Sequence, residues 1–246
     1  MTVKYNLLIA AALFSTSPVM AGNFSLGAGA VFNESPYKGY NANTTAVPLI
    51  SYEGDNFYVR QTTGGWILWK DSKNEFSLTA SWMPLHFDPD DNDDHQMKQL
   101  DERKASAFLG GAYYRHEKWG SLKFAVSGDA MDESGGVVGE ISYFRPIRME
   151  RLTLTPSVGI FYSDESYNNY YYGVSGSESR RSGLDEYTAG DSWTPYVGLA
   201  AKYQLTQNLY LNASAVYTVL PDDVKNSPMI DRDDSFALMT GLTWRF

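Results

Sequence analysis

The 246-residue chain has no cysteine, so no disulfide framework can stabilise it and no lipid can be attached at a cysteine behind a leader. It has no surplus of positive charge. Acidic residues number 29 against 20 basic ones, a net charge of -9. That balance argues against nucleic acid, whose phosphates need Lys and Arg to displace counterions. Histidine is scarce, at three. Beyond residue 21 no apolar run reaches the roughly 18 residues that a membrane-spanning helix requires. The mature chain is therefore either soluble or crosses a membrane as a closed barrel.

What is abundant is aromatic and small: 18 Tyr, 12 Phe, 6 Trp and 21 Gly. This composition leans toward β structure. The first residues differ from the rest. "MTVKYN" offers Lys4, "LLIAAALF" is a short apolar run, and "SPVMA" places Val19 and Ala21 at the small-residue positions before a cut. Residues 1–21 read as a secretory signal peptide, cleaved to leave a mature chain of 22–246.

Within the mature chain, alternation of period two recurs. Leu152, Leu154, Pro156, Val158, Ile160 and Tyr162 alternate with Thr153, Thr155, Ser157 and Gly159. Trp193, Pro195, Val197, Leu199, Ala201 and Tyr203 form a second such face, and Leu209, Leu211, Ala213, Ala215, Tyr217 and Val219 a third. Apolar faces often end in an aromatic, as in the girdles at the two lipid–water boundaries of a transmembrane barrel. Connectors are of two kinds. Those at 53–56, 71–74, 116–120, 148–151 and 205–208 are tight, whereas 33–43, 88–102, 164–191 and 220–234 are long and polar. With short turns in the periplasm and long loops outside, parity demands that 56–70 be a hairpin, turning at Thr63-Gly64-Gly65. The expected fold is all-β: an antiparallel up-and-down transmembrane barrel with strands at 24–32, 44–53, 56–62, 64–70, 75–87, 103–116, 119–130, 136–147, 151–163, 192–204, 208–219 and 235–246. Ten strands result if the region 44–70 pairs differently. Gly241, Trp244 and Phe246 resemble the C-terminal signal read by the barrel-assembly machinery, though Met239 stands where a polar residue is usual.

Candidate chemistry is sparse. Asp88, Asp90, Asn92 and Asp94 alternate like the start of a calcium loop, but Asp93 replaces the glycine and Gln99 the final glutamate. A solvated acidic loop is the better reading, and its charge suits divalent ions shared with lipopolysaccharide phosphates. His86, His95 and His116 do not cluster, and Ser81 with His86 carries no spacing that distinguishes a catalytic pair. No cofactor, metal or catalytic residue is assigned. Tyr170, Tyr171, Tyr172, Arg180 and Arg181 sit in the longest loop and are residue types that supply recognition hot spots. They also suit a loop folded over its own barrel mouth, with the arginines paired to Asp185, Glu186 or the 88–102 loop. Arg60, Glu75, Lys104, Lys123, Asp129, Glu140, Arg151, Lys202 and Arg245 are candidates to face the lumen.

"NESPYKGYN", "PLISYEGDNFYVRQ", "DDHQMKQLDERK", "YYYGVSGSESRRSGL" and "SPMIDRDDS" resemble the MipA/OmpV family of outer-membrane proteins over nearly all of the mature chain. The resemblance implies the outer membrane of a Gram-negative bacterium, surrounded by lipid and lipopolysaccharide. It implies a non-enzymatic scaffold whose partners are a lytic transglycosylase and a bifunctional penicillin-binding protein in a peptidoglycan-remodelling assembly. Alternatives are a narrow solute pore, or an adhesin or receptor that uses the long outer loops.

Overall fold

A strand that alternates apolar and small polar side chains has two unlike faces, and rolling the sheet into a cylinder satisfies both while removing its edges. The computed structural model describes residues 23–40 and 42–246 and contains such a cylinder. The expected signal peptide, 1–21, lies outside the described residues. In chain order the strands are β1 (Asn23–Asn33), β2 (Asn43–Glu53), β3 (Phe57–Arg60), β4 (Thr63–Lys70), β5 (Asn74–Met83), β6 (Ser106–Glu117), β7 (Gly120–Asp129), β8 (Val137–Phe144), β9 (Ile147–Met149), β10 (Leu152–Ser163), β11 (Ser192–Gln204), β12 (Leu209–Val219) and β13 (Asp234–Arg245). Neighbours in sequence pair antiparallel, and β13 returns to β1. β8 and β9 are one stave interrupted at Arg145-Pro146, both lying on β10, so thirteen segments make twelve staves.

Faces alternate as the sequence demands. Leu78, Val158 and Val197 expose more than half their surface to the outside, at 53%, 51% and 53%. Their neighbours Ser77, Ser157 and Tyr196 are buried in the interior. None of the helices among the described residues is long and apolar enough to cross a membrane. The spanning elements are strands.

Closure depends on close backbone approach. Gly29 faces Gly241 across β1 and β13, and a Cβ on Gly241 would stand 2.6 Å from both the Ala28 carbonyl oxygen and the Gly29 Cα. The terminal Phe246 stacks on Phe24 with ring centroids 5.5 Å apart, and its N–H donates to the Phe24 carbonyl at 3.0 Å.

Four boundaries differ from expectation, one of them the start of β6 at Ser106 instead of 103. The β3–β4 hairpin turns at Gln61-Thr62, not at Thr63-Gly64-Gly65, and Gln61 takes a φ of 57°. Gly65 is needed elsewhere, because a Cβ there would enter the Tyr58 ring that lies over it. β5 stops at Met83 instead of 87, since Pro84 cannot donate to a ladder. Phe87 and Arg103 still pair, but as an isolated bridge above the wall. The stave expected at 136–147 breaks at Pro146 for the same reason.

Leu78 faces lipid midway along β5. Leu78→Arg should lower folding stability in vesicles by about 2–4 kcal/mol, whereas Thr79→Arg, on the lumen side, should cost clearly less. Urea titration in lipid vesicles compares the two.

Candidate functional site

The lumen has a charged floor, a cavity and a lid. Short side chains on the lower wall cannot fill a twelve-stave barrel, so long ones cross it. Arg60 pairs with Glu53 at 2.7 Å and Glu75 at 3.2 Å, and Lys70 also reaches Glu75, at 2.8 Å. The Arg60 guanidinium lies 3.8 Å from the Tyr58 ring centroid. Lys123 pairs with Glu140 at 2.7 Å, and Glu140 also accepts from the Tyr196 hydroxyl at 2.7 Å. Lys202 and Arg245 sit over Tyr210. Not every expected lumen charge is there. Lys104 belongs to the loop before β6 and Arg151 to a tight turn, and both are exposed. Asp129 caps the end of β7, accepting the N–H groups of Met131, Ser134 and Gly135 and so tying down the loop between β7 and β8.

Above this floor the inward positions of the wall become small or apolar, among them Ala112, Ala200, Leu49, Val138 and Met239. They leave a cavity of about 260 Å³.

The lid is built from all four long loops. Three helices contribute: α1 (Glu165–Tyr172), α2 (Gly176–Ser182) and α3 (Asp222–Lys225). Asp164 caps α1 by accepting from the Tyr167 N–H, and Ser175 with Glu178 forms a capping box on α2. Tyr37, Phe87, Met97, Tyr171, Met229 and their neighbours form one hydrophobic cluster that also takes in Phe108 and Val138 at the barrel rim. Tyr37 donates to the Tyr171 carbonyl at 3.1 Å, Tyr171 to the Lys104 carbonyl at 2.9 Å, and Ser227 to the Tyr172 carbonyl at 2.6 Å. One buried ion pair crosses the lid. Arg103 Nη2 meets Glu178 Oε1 at 2.7 Å, with both residues under a tenth exposed.

Burial pushes the Glu178 carboxyl up, but the N–H groups of Asp101 and Ser175, the Ser175 hydroxyl and Arg103 outweigh it and hold the group at about 2. The capping box was legible in "SGSE". Arg103 as its partner, 75 residues away, was not.

Among the residues singled out from the sequence, Tyr171 and Tyr172 are buried within the lid. The Tyr170 hydroxyl accepts from the Lys104 N–H at 2.8 Å. Arg180 and Arg181 lie in the last turn of α2, where Arg181 pairs with Asp101 at 2.5 Å. Asp88 and Asp94 accept from their own loop's backbone, and Asp94 pairs with Lys38 at 3.1 Å. No group of three or more His, Asp or Glu among the described residues is placed to hold a metal. Ser81 and His86 each bond elsewhere, to Thr63 and to the Pro84 carbonyl. Gly241, Trp244 and Phe246 lie on the strand that closes the barrel.

The model of the family described as MltA-interacting protein MipA matches residues 26–246. The chain belongs to the MipA family. A putative outer membrane protein of Escherichia coli K12, YiaT, is 54% identical over all of both chains. The MltA-interacting protein of the same organism is 42% identical over 99% of each. OmpV of Vibrio cholerae is 26% identical over 64% of this chain and 61% of its own. Among solved structures, the COG4313 outer membrane channel from Pseudomonas putida F1 is similar with a TM-score of 0.47 at 9% identity, covering 97% of this chain and 100% of that one. This MipA-family chain is an outer-membrane β-barrel, with the start of β1, the end of β13 and the tight turns at the periplasmic end and the lid outside. Two of the segments that carry the family resemblance, "YYYGVSGSESRRSGL" and "SPMIDRDDS", are lid segments.

Removing one partner of a buried pair leaves a charge without compensation, at a cost of about 3–5 kcal/mol. Glu178→Ala should therefore speed amide exchange across 164–191 while the barrel keeps its heat-modifiable mobility on gels. The depressed Glu178 pKa stabilises the lid fully above the ordinary value of 4.5, and this is lost as pH falls from there to about 2. Exchange in the wild type should rise over that window, and Glu178→Gln should flatten the dependence.

Proposed function

We propose that this protein is a non-enzymatic outer-membrane platform that holds a peptidoglycan-remodelling partner, a lytic transglycosylase alone or with a bifunctional penicillin-binding protein, at its periplasmic rim. The observation that carries the reading is the closed outer mouth. A lid with its own hydrophobic core and a floor of paired charges suit a rigid body better than a conduit for solutes.

The periplasmic rim supports the reading further. Arg145, Arg148 and Arg151 are exposed there, and among the described residues β9 pairs only with β10, which leaves its other edge without a strand. The outer loops carry the acidic runs instead, including Asp88, Asp90, Asp222 and Asp223. A basic rim with such a strand edge fits an acidic partner segment. The relative named MltA-interacting protein points to the same class of partner.

Two further roles go with the platform. Gly241, Trp244 and Phe246 would be read by the barrel-assembly machinery before insertion. Arg180, Arg181 and Tyr170 would serve outward recognition, supported from beneath by Tyr171 and Tyr172, with lipopolysaccharide as the nearest anionic ligand.

Co-purification tests the platform. A lytic transglycosylase should be enriched with this protein over an unrelated barrel, and Arg145→Glu/Arg148→Glu/Arg151→Glu should reduce that enrichment by more than tenfold, roughly 1.4 kcal/mol of affinity or more. No enrichment over the control barrel would rule the platform out. Steady single-channel conductance in planar bilayers would favour the pore instead.

A further inference from the structure

The wall of the barrel is not continuous. β1 pairs with β2 along all of Asn43–Glu53, but β3 covers only Ser51–Glu53 of the opposite edge of β2. The hairpin then turns back at Gln61-Thr62, and β4 delivers the chain to β5. Above that turn, β2 and β5 flank a gap that the hairpin does not fill, and among the described residues no β2–β5 pairing occurs in the sheet.

The last bonds across the gap are the Gln61 N–H to the Ile50 carbonyl, at 3.2 Å, and the Trp82 N–H to the Thr62 carbonyl, at 2.9 Å. In an antiparallel strand, every second residue aims its backbone groups at the same edge. The next position of that edge on β2 is Pro48, and on β5 it is Pro84. Both rims therefore carry proline where an N–H would point into the gap. An unbonded donor in hydrocarbon costs several kcal/mol, and these two sites have none.

The gap lies in the lipid belt. Ile50 is opposite the lipid-facing Leu26, and Pro48 opposite Ala28. From there the gap runs toward the outer end of β2, within the outer leaflet. Frame residues Ile50, Gln61, Thr62, Trp82 and Pro84 also line the 260 Å³ cavity, so lumen and window are one space. That volume is on the order of twenty times what one water needs. Its upper walls are apolar, with Leu49, Met83, Leu85 and Val138. The lid closes it above and the Arg60 and Lys123 ion pairs close it below.

We propose that this window admits an acyl chain from the outer leaflet into the lumen. The chain enters sideways between β2 and β5, lies against Leu49, Met83 and Leu85, and stops at the charged floor, where hydrocarbon would strip water from ion pairs. The head group stays at the membrane surface. The site goes beyond the platform reading and stands without it.

The test uses the full-length barrel in vesicles that contain a phospholipid with a diazirine on its acyl chain, and in a parallel arm a diazirine fatty acid. Adducts are mapped by mass spectrometry after irradiation. Labelling of lipid-facing Leu26 and Leu78 confirms insertion. Labelling of lumen-facing Leu49, Met83 or Leu85 as well is the expected result. From the phospholipid arm it identifies a membrane lipid as the source, and from the fatty-acid arm alone a free acid. Thr62→Trp, on the window sill, should abolish lumen labelling and leave the outward adducts unchanged; the smaller Thr62→Leu serves if the first variant does not insert. Outward adducts only, in both arms, would overturn the proposal. Lumen labelling that persists in the sill variants would overturn the lateral route.

Discussion

Backbone N–H and C=O groups within the bilayer are costly unless partnered inside the protein, and outside the β2–β5 window the wall pairs stave to stave. That constraint makes the last strand meet the first, and the meeting determines the rest. It requires two glycines face to face at Gly29 and Gly241, because any side chain there would hold the backbones apart. It places the start of β1 and the end of β13 at the periplasmic end. It also sends the four long loops to the opposite side, where they can pack only on one another and on the rim.

The lid follows from that crowding. Loops over a barrel mouth are usually solvated and mobile, but here Tyr37, Phe87 with Met97, Tyr171 and Met229 come from four loops and share one interior. Arg103 and Glu178 then bridge the second and third of these loops. A buried pair contributes little net stability, but it tolerates few alternative arrangements, so it fixes how the loops sit.

Much of this was legible in the sequence because a barrel strand has a period of two and a lipid-facing side. The strands with clean alternation, such as β10, β11 and β12, lie within a residue of where the pattern puts them. The short hairpin was legible only through parity. Its turn was misplaced because Gly64 and Gly65 look like turn glycines, whereas Gly65 makes room for the Tyr58 ring and Gln61 takes the left-handed position. Proline truncated β5 and split the stave of β8 and β9, and both positions could have been read from Pro84 and Pro146. The lid core was not legible. Its contacts join residues far apart in sequence, with no periodicity to announce them. The cavity was invisible for a similar reason, since it is the space that small inward residues leave once the cylinder has closed.

A shared interior under the outer surface has an immunological consequence. Surface loops that fold independently can be copied as short peptides and can drift one at a time. Here the shape of each loop depends on side chains lent by the others. Epitopes on this surface are therefore composite. An antibody raised against the intact cell would bind the folded barrel, and linear peptides taken from any single loop would compete poorly for it.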